Sequence, residues 1–256
     1  MNDPAAAPTT VSPLGHPRVH LRRTDSTNDR ARALAIAGAP HGTLVTAAEQ
    51  TAGRGRQGRR WSAPAGSALL MSLLLRWPSS DRPPALLPLI AAVAVCDVAG
   101  AEARIKWPND IVLAQADGAG LAKLAGVLTE GRPQERWAVV GIGLNVAVAL
   151  EELPPELRST AATLGRPPGE IEPTLERLLQ ALERRLEQEP QSLLEAWRAR
   201  DALQGREISW GGRCPTEPAG SGQAQGIDGT GRLVVALATG GRATLEAGEV
   251  HLERIA

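Results

Sequence analysis

The 256-residue chain contains neither phenylalanine nor tyrosine, which leaves six tryptophans as its only aromatic residues. Leucine, valine, isoleucine and alanine must therefore fill the core, and stacking on a flat ligand falls to tryptophan, arginine or aliphatic faces. This weakens a single-strand nucleic-acid function, which relies on several aromatic platforms. Cysteine is scarce too. Cys96 and Cys214 are too few and too far apart for a disulfide framework or a structural zinc site. Cys96, inside the apolar run IAAVAVCDVAG, reads as a small buried hydrophobe. Surplus charge is also missing: lysine plus arginine and aspartate plus glutamate are both 28, which argues against coating nucleic acid or an anionic membrane. No run reaches the ~18 apolar residues that span a bilayer. The N-terminus has no basic stretch leading into an apolar one, so no secretory signal is expected and the cytoplasm is the default compartment.

Charge is instead concentrated locally. Residues 49–61, EQTAGRGRQGRRW, set Arg54, Arg56, Arg59 and Arg60 among Gly53, Gly55 and Gly58 with no acid between them. Glycine allows a close backbone approach, so its N–H groups can line an anion-binding hollow, and arginine adds a planar fork for phosphate or carboxylate. Four like charges cannot form a core, so the segment is expected to be mobile until an anion orders it. A solvated basic loop and an RGG-type nucleic-acid patch are the competing readings.

Around this loop the pattern predicts an α+β domain followed by a small β unit. Residues 1–18, rich in Ala, Pro and Thr, read as a disordered lead-in. Strand-like VHLRR precedes a helix that Asp25, Ser26 or Thr27 can cap and Gly38 can end. The same DSTN run is also a compact set of donors and acceptors. GTLVTAAEQ and GSALLMSLLLRW read as core strands on either side of the arginine loop, the second buried on both faces. PPALLPLIAAVAVCDVAG has helix length and an apolar face. In RIKWPNDIVL, Lys106 and Trp107 lie on a short strand expected to be central, and Pro108 turns the chain before Asn109 and Asp110. After a hairpin loop at ADGAG, Lys123 interrupts the apolar strand LAKLAGVLTEG. Either an anion meets that lysine or it lies on an edge strand facing water.

ERWAVVGIGLNVAV is a further apolar strand. Gly141 and Gly143 can admit a ligand or a second backbone, and Asn145 closes the strand with an amide. It is not a dinucleotide fingerprint, since the third glycine and the following helix are missing. A Pro- and Glu-rich connection over 151–170 leads to two helices, EPTLERLLQALERRLEQ and QSLLEAWRARDA, expected to form a hairpin over the sheet. From Gly205 on, short alternating strands punctuated by glycine predict a small barrel.

Five of these segments, DSTN (25–28), EQTAGRGRQGRRW (49–61), KWPND (106–110), KLAG (123–126) and GIGLN (141–145), together resemble the biotin–protein ligases, in order and over roughly residues 19–256. The resemblance implies a mixed sheet flanked by helices over 19–203 and an SH3-like barrel over 204–256. It also implies activation of biotin with ATP and Mg²⁺ to biotinyl-5′-AMP, then transfer to a lysine of a biotin carboxyl carrier domain. Carried over residue by residue, Ser26, Thr27, Asn28, Gln50 and Gly126 would hold biotin with Arg54, Gly55, Arg56 and Lys123. Arg54, Arg56, Arg59, Trp61, Lys106, Asn109, Lys123 and Asn145 would hold ATP, Asn145 at the adenine. Lys123, Arg54 and Arg56 would stabilise developing charge. Asn109 and Asp110 would lie near the phosphates and Mg²⁺, with Asp110 also able to orient or deprotonate the acceptor lysine. Closure of the arginine loop would shield the mixed anhydride from water. Two departures matter: Ser62 follows Trp61 where some relatives have an aromatic wall, and no tryptophan precedes Ala162 to stack on adenine. The short lead-in implies no repressor-type DNA-binding domain, and monomer and homodimer remain open. The alternative is a lipoate or octanoyl ligase or transferase on the related fold, whose glycine- and histidine-containing signatures are absent.

Overall fold

Ser26 caps the first helix: extended itself, it accepts a hydrogen bond from the Asp29 amide. In this computed structural model residues 14–77, 84–115, 120–211, 219–246 and 250–252 are described. The elements are β1 (Arg18–Leu21), α1 (Thr27–Ile36), β2 (Leu44–Ala47), β3 (Ala68–Arg76), α2 (Leu87–Ala99), β4 (Arg104–Lys106), β5 (Asp110–Ala114), β6 (Leu121–Arg132) and β7 (Trp137–Asn145). They continue with α3 (Pro155–Arg158), α4 (Ile171–Glu187), α5 (Pro190–Arg198), β8 (Glu207–Trp210), β9 (Gly220–Ile227), β10 (Leu233–Ala236), β11 (Arg242–Leu245) and β12 (Val250–Leu252). Gly38 ends the first helix at φ +87°, where a side chain would be strained.

Seven strands form one mixed sheet in the order β1-β2-β3-β7-β6-β5-β4, antiparallel except for β1 beside β2. The apolar run of β3 sits centrally with eight of its nine residues buried, as a strand covered on both faces requires. Alternate residues serve two layers. Leu69, Met71, Leu73 and Leu75 join the large core under α2, whereas Leu74 packs beneath α1 with Ala31, Ala35 and Val139. Cys96 is fully buried in α2, and burial pushes its thiol up to about 12. The C-terminal SH3-like unit is a five-stranded antiparallel sheet, β11-β10-β9-β8-β12, whose Ile208, Ala224, Leu233 and Val235 continue the same core.

Several expectations are corrected. β4 is an edge strand, not a central one, although residues 200–202 run alongside it through Ile105 N–H to the Arg200 carbonyl at 2.7 Å. Each of α4 and α5 packs on α2 instead of forming a hairpin with the other, because α2 is apolar around its circumference and offers two faces. The connection over 151–170 carries the short helix α3. Leu14, ahead of the expected start at residue 19, is already tied to the fold: its side chain is buried and its N–H donates to Glu183 at 2.9 Å. Residues 1–13 lie outside the described residues, as do 116–119 of the anticipated hairpin loop.

Candidate functional site

Three motifs far apart in the chain meet in one row across the sheet. Lys106 pairs with Asp110, Asp110 with Gly126, Gly126 with Gly143, and Gly143 with Leu70. Residues directly opposite in a ladder share a face, so both lysine-bearing motifs and the glycine pair open to the same side. Lys123 reaches that side through an irregularity. Residues 123 and 126, three apart, would face opposite ways in a regular strand. The register slips between Ile111 and Val112, leaving Leu124 extra, and parity is reversed. Both Leu124 and Ala125 then enter the core, while Lys123 Nζ lies 2.7 Å from Asp110 Oδ1. An anion does meet that lysine, and it is on an interior strand.

The arginine segment is a tight hairpin, closed by an antiparallel bridge between Arg54 and Arg60. Gly55 N–H donates to the Arg59 carbonyl at 2.7 Å and Trp61 N–H to Gly53 at 2.9 Å, with Gln57 and Gly58 at positive φ in the turn. Charge repulsion is offset by acids from elsewhere: Arg54 bonds Asp29 at 2.7 Å and Glu130 at 3.0 Å. Burial is the largest single effect and lowers its pKa, but the contacts with the two acids together outweigh it and hold the guanidinium above its usual range. Arg56 reaches Asn109 Oδ1 at 3.4 Å, and Asn109 Nδ2 donates to Val127 O at 2.8 Å. The Trp61 ring covers the glycine row: a Cβ on Gly143 would stand 2.5 Å from Trp61 Cε2, and one on Gly126 3.3 Å from Cζ3. Gly141 admits the Asn28 amide in the same way. The glycines therefore receive side chains here, where a ligand or backbone was expected.

At the opposite end the capping run becomes a polar wall. Gln50 Oε1 accepts from Thr27 N–H at 2.7 Å and lies 3.0 Å from Thr27 Oγ1. Ser72 Oγ lies 2.8 Å from Thr27 Oγ1 and 2.6 Å from Asn28 Oδ1. These elements enclose a cavity of about 140 Å³. Its walls include Ser26, Thr27, Asn28, Gln50, Arg54, Gly55, Arg56, Arg59, Trp61, Lys106, Asn109, Asp110, Lys123 and Gly126, every anticipated residue except Asn145. Asn145 is buried below the row, its amide donating to Ala162 O at 2.8 Å. Arg60, Met71, Trp107 and Val250 also line the cavity without having been anticipated. Ser72 was missed too, though it is the single hydroxyl in the apolar run of β3.

The electrostatics are one-sided. Among the described residues of the wall, Arg54, Arg56, Arg59, Arg60, Lys106 and Lys123 stand with one carboxylate, Asp110. Burial lowers the Lys106 pKa, and nearby Lys123 and Arg59 lower it further against the pull of Asp110. Such a cluster favours a ligand with several negative charges. Among the described residues no group of three or more His, Cys, Asp or Glu could hold a metal, and no helix is long and apolar enough to cross a membrane.

The biotin/lipoate A/B protein ligase family matches residues 20–147. Among curated proteins, the bifunctional ligase/repressor BirA of Bacillus spizizenii is 39% identical over 164 residues, 61% of this chain and 49% of its own. This chain thus spans about half the length of that relative. The biotin–[acetyl-CoA-carboxylase] ligase of Mycobacterium tuberculosis is 38% identical over 253 residues, 91% of this chain and 88% of its own. Among solved structures, the biotin protein ligase of Aquifex aeolicus in complex with biotin and ATP superposes with a TM-score of 0.74 at 26% identity, covering 93% of this chain and 99% of that one. The fold, the five motifs in order and these similarities lead to one assignment: the chain belongs to the biotin/lipoate A/B protein ligase family and, within it, to the biotin–protein ligases.

Proposed function

We propose that the cavity activates biotin with ATP, forming biotinyl-5′-AMP and pyrophosphate, and then passes the biotinyl group to one lysine of a biotin carboxyl carrier domain in the cytoplasm. The observation that carries this reading is the union of an uncharged polar wall and a cationic row in one cavity. Ser26, Thr27, Asn28 and Gln50 suit a neutral ring rich in N–H and C=O, while Arg54, Arg56 and Lys123 suit the carboxylate and α-phosphate. Joining two anions needs fixed cations aimed at the charge that develops, in a site where water is sparse. Asp110 fixes Lys123 by their 2.7 Å pair and, as the single carboxylate among the described residues of the cavity wall, is the group to receive the proton of the acceptor lysine. Mg²⁺ typically uses one or two protein carboxylates plus substrate phosphates, a requirement that Asp110 with Asn109 meets. When bound it would neutralise phosphate charge. Domains over 19–203 and 204–256 are proposed, with Trp107 N–H donating to Gly231 O at 3.1 Å between them.

Biotin-dependent ATP–pyrophosphate exchange tests the reading, with lipoate as the competing acid. The wild type should exchange with biotin and not with lipoate. Lys123→Ala should lower the rate about 10²–10³-fold, the usual effect of removing one preorganised charge partner. Exchange with lipoate alone, or full exchange in Lys123→Ala, would refute it.

A further inference from the structure

Glu130 belongs to none of the five motifs and does not line the cavity, yet the two halves of the site meet on its carboxylate. Arg54 spans both of its oxygens, Nη2 to Oε1 at 3.0 Å and Nη1 to Oε2 at 3.2 Å. Asn28 Nδ2 donates to Oε2 at 3.0 Å, and Arg32 lies 3.5 Å from Oε1. We propose that Glu130 is a positioning residue that sets the hydrogen-bond polarity of the polar wall through Asn28 and holds the arginine hairpin against β6 through Arg54.

The argument turns on counting hydrogens. An ionised carboxylate only accepts, so Asn28 must turn its NH₂ toward Glu130 and its Oδ1 toward Ser72. Beyond that point lie three oxygen–oxygen contacts: Asn28 Oδ1 to Ser72 Oγ at 2.6 Å, Ser72 Oγ to Thr27 Oγ1 at 2.8 Å, and Thr27 Oγ1 to Gln50 Oε1 at 3.0 Å. Two hydroxyl hydrogens serve all three. The wall is therefore one hydrogen short and keeps an acceptor for an N–H of the ligand. Asn28 Nδ2 also donates to the Leu128 carbonyl at the longer distance of 3.3 Å, so without Glu130 only that contact opposes a reversal of the amide, which would supply the third hydrogen from its own NH₂. The wall would then satisfy itself and lose that acceptor.

The polar-wall half of this proposal rests on the reading of the cavity as a biotin site, whereas the hairpin half needs no substrate. Glu130→Gln keeps the side chain's size and removes the enforced polarity. In ATP–pyrophosphate exchange its KM for biotin should rise up to about tenfold, the upper end for one hydrogen bond between neutral groups, with kcat changed much less. Glu130→Asp, again acceptor-only, should recover part of that rise. In ligand-free protein, trypsin should cut Glu130→Gln after Arg56, Arg59 and Arg60 several-fold faster than wild type, and no faster at those three sites than it cuts Arg54→Gln. An unchanged biotin KM in a Glu130→Gln variant with wild-type thermal stability would overturn the wall half, and an unchanged cleavage rate would overturn the hairpin half. If the wild type itself shows no biotin-dependent exchange, the functional reading fails, and the trypsin comparison still decides the role of Glu130.

Discussion

A serine in the middle of a leucine strand shows how much one polar atom can matter. Ser72 is fully buried and its hydroxyl touches both Thr27 and Asn28. Ser72→Ala would take a partner from the buried Thr27 and Asn28 side chains, and a buried polar group left without its partner costs about 1–3 kcal/mol. Urea unfolding should register that loss. A stability equal to wild type would mean that the chain of hydroxyls is slack. The capping residues 25–28 were legible in the sequence because N-cap grammar is local: small oxygen-bearing side chains, then a helix. Glu130 was not, since a glutamate near the end of a strand looks like any solvated charge until the fold brings Asn28 and Arg54 to it. Asn145 shows the converse: its amide, which the sequence suggests only as a ligand contact, also ties β7 to the segment around Ala162.

Individual elements were more readable than their arrangement. β3 and β7 announce themselves as continuous apolar runs, and α4 by its leucines at helical spacing. Neither the edge position of β4 nor the slip in β6 could be read in advance, because both depend on which strands pair. The glycine pair of β7 was read correctly as a place of close approach, but the approaching groups are Trp61 and Asn28. Gly143→Ala should therefore act on the hairpin. The added methyl stands 2.5 Å from the indole, so the ring must lift from the sheet and carry the end of the hairpin with it. Amide hydrogen exchange over 53–61 should quicken in that variant, and unaltered exchange would count against the indole as the hairpin's anchor.

At the scale of the whole molecule the seam beside the C-terminal sheet carries an unusual acid. Asp201 bridges to Ile105 on β4, its Oδ1 accepts from Leu203 N–H at 2.8 Å, and its Oδ2 is buried with no partner among the described residues. Burial raises its pKa from 3.8 to about 6, against the lowering effect of the Leu203 and Gln204 amides. The folded state therefore holds this proton more tightly than the unfolded chain does. Stability is greatest below the unfolded value of 3.8 and falls as pH rises through about 6, by ~3 kcal/mol for a shift of this size. Asp201→Asn should abolish that slope and raise the melting temperature at pH 8 by several degrees. A variant that melts with the wild type at pH 8 would show that the orphan oxygen is solvated after all.

The lack of phenylalanine and tyrosine has a practical consequence once the cavity is known. Two of the six tryptophans, Trp61 and Trp107, stand in its wall, one on the arginine hairpin and one beside the C-terminal sheet. Near-ultraviolet emission from this protein carries no tyrosine background, so a ligand that enters the cavity reports itself through native indole light, without any attached dye.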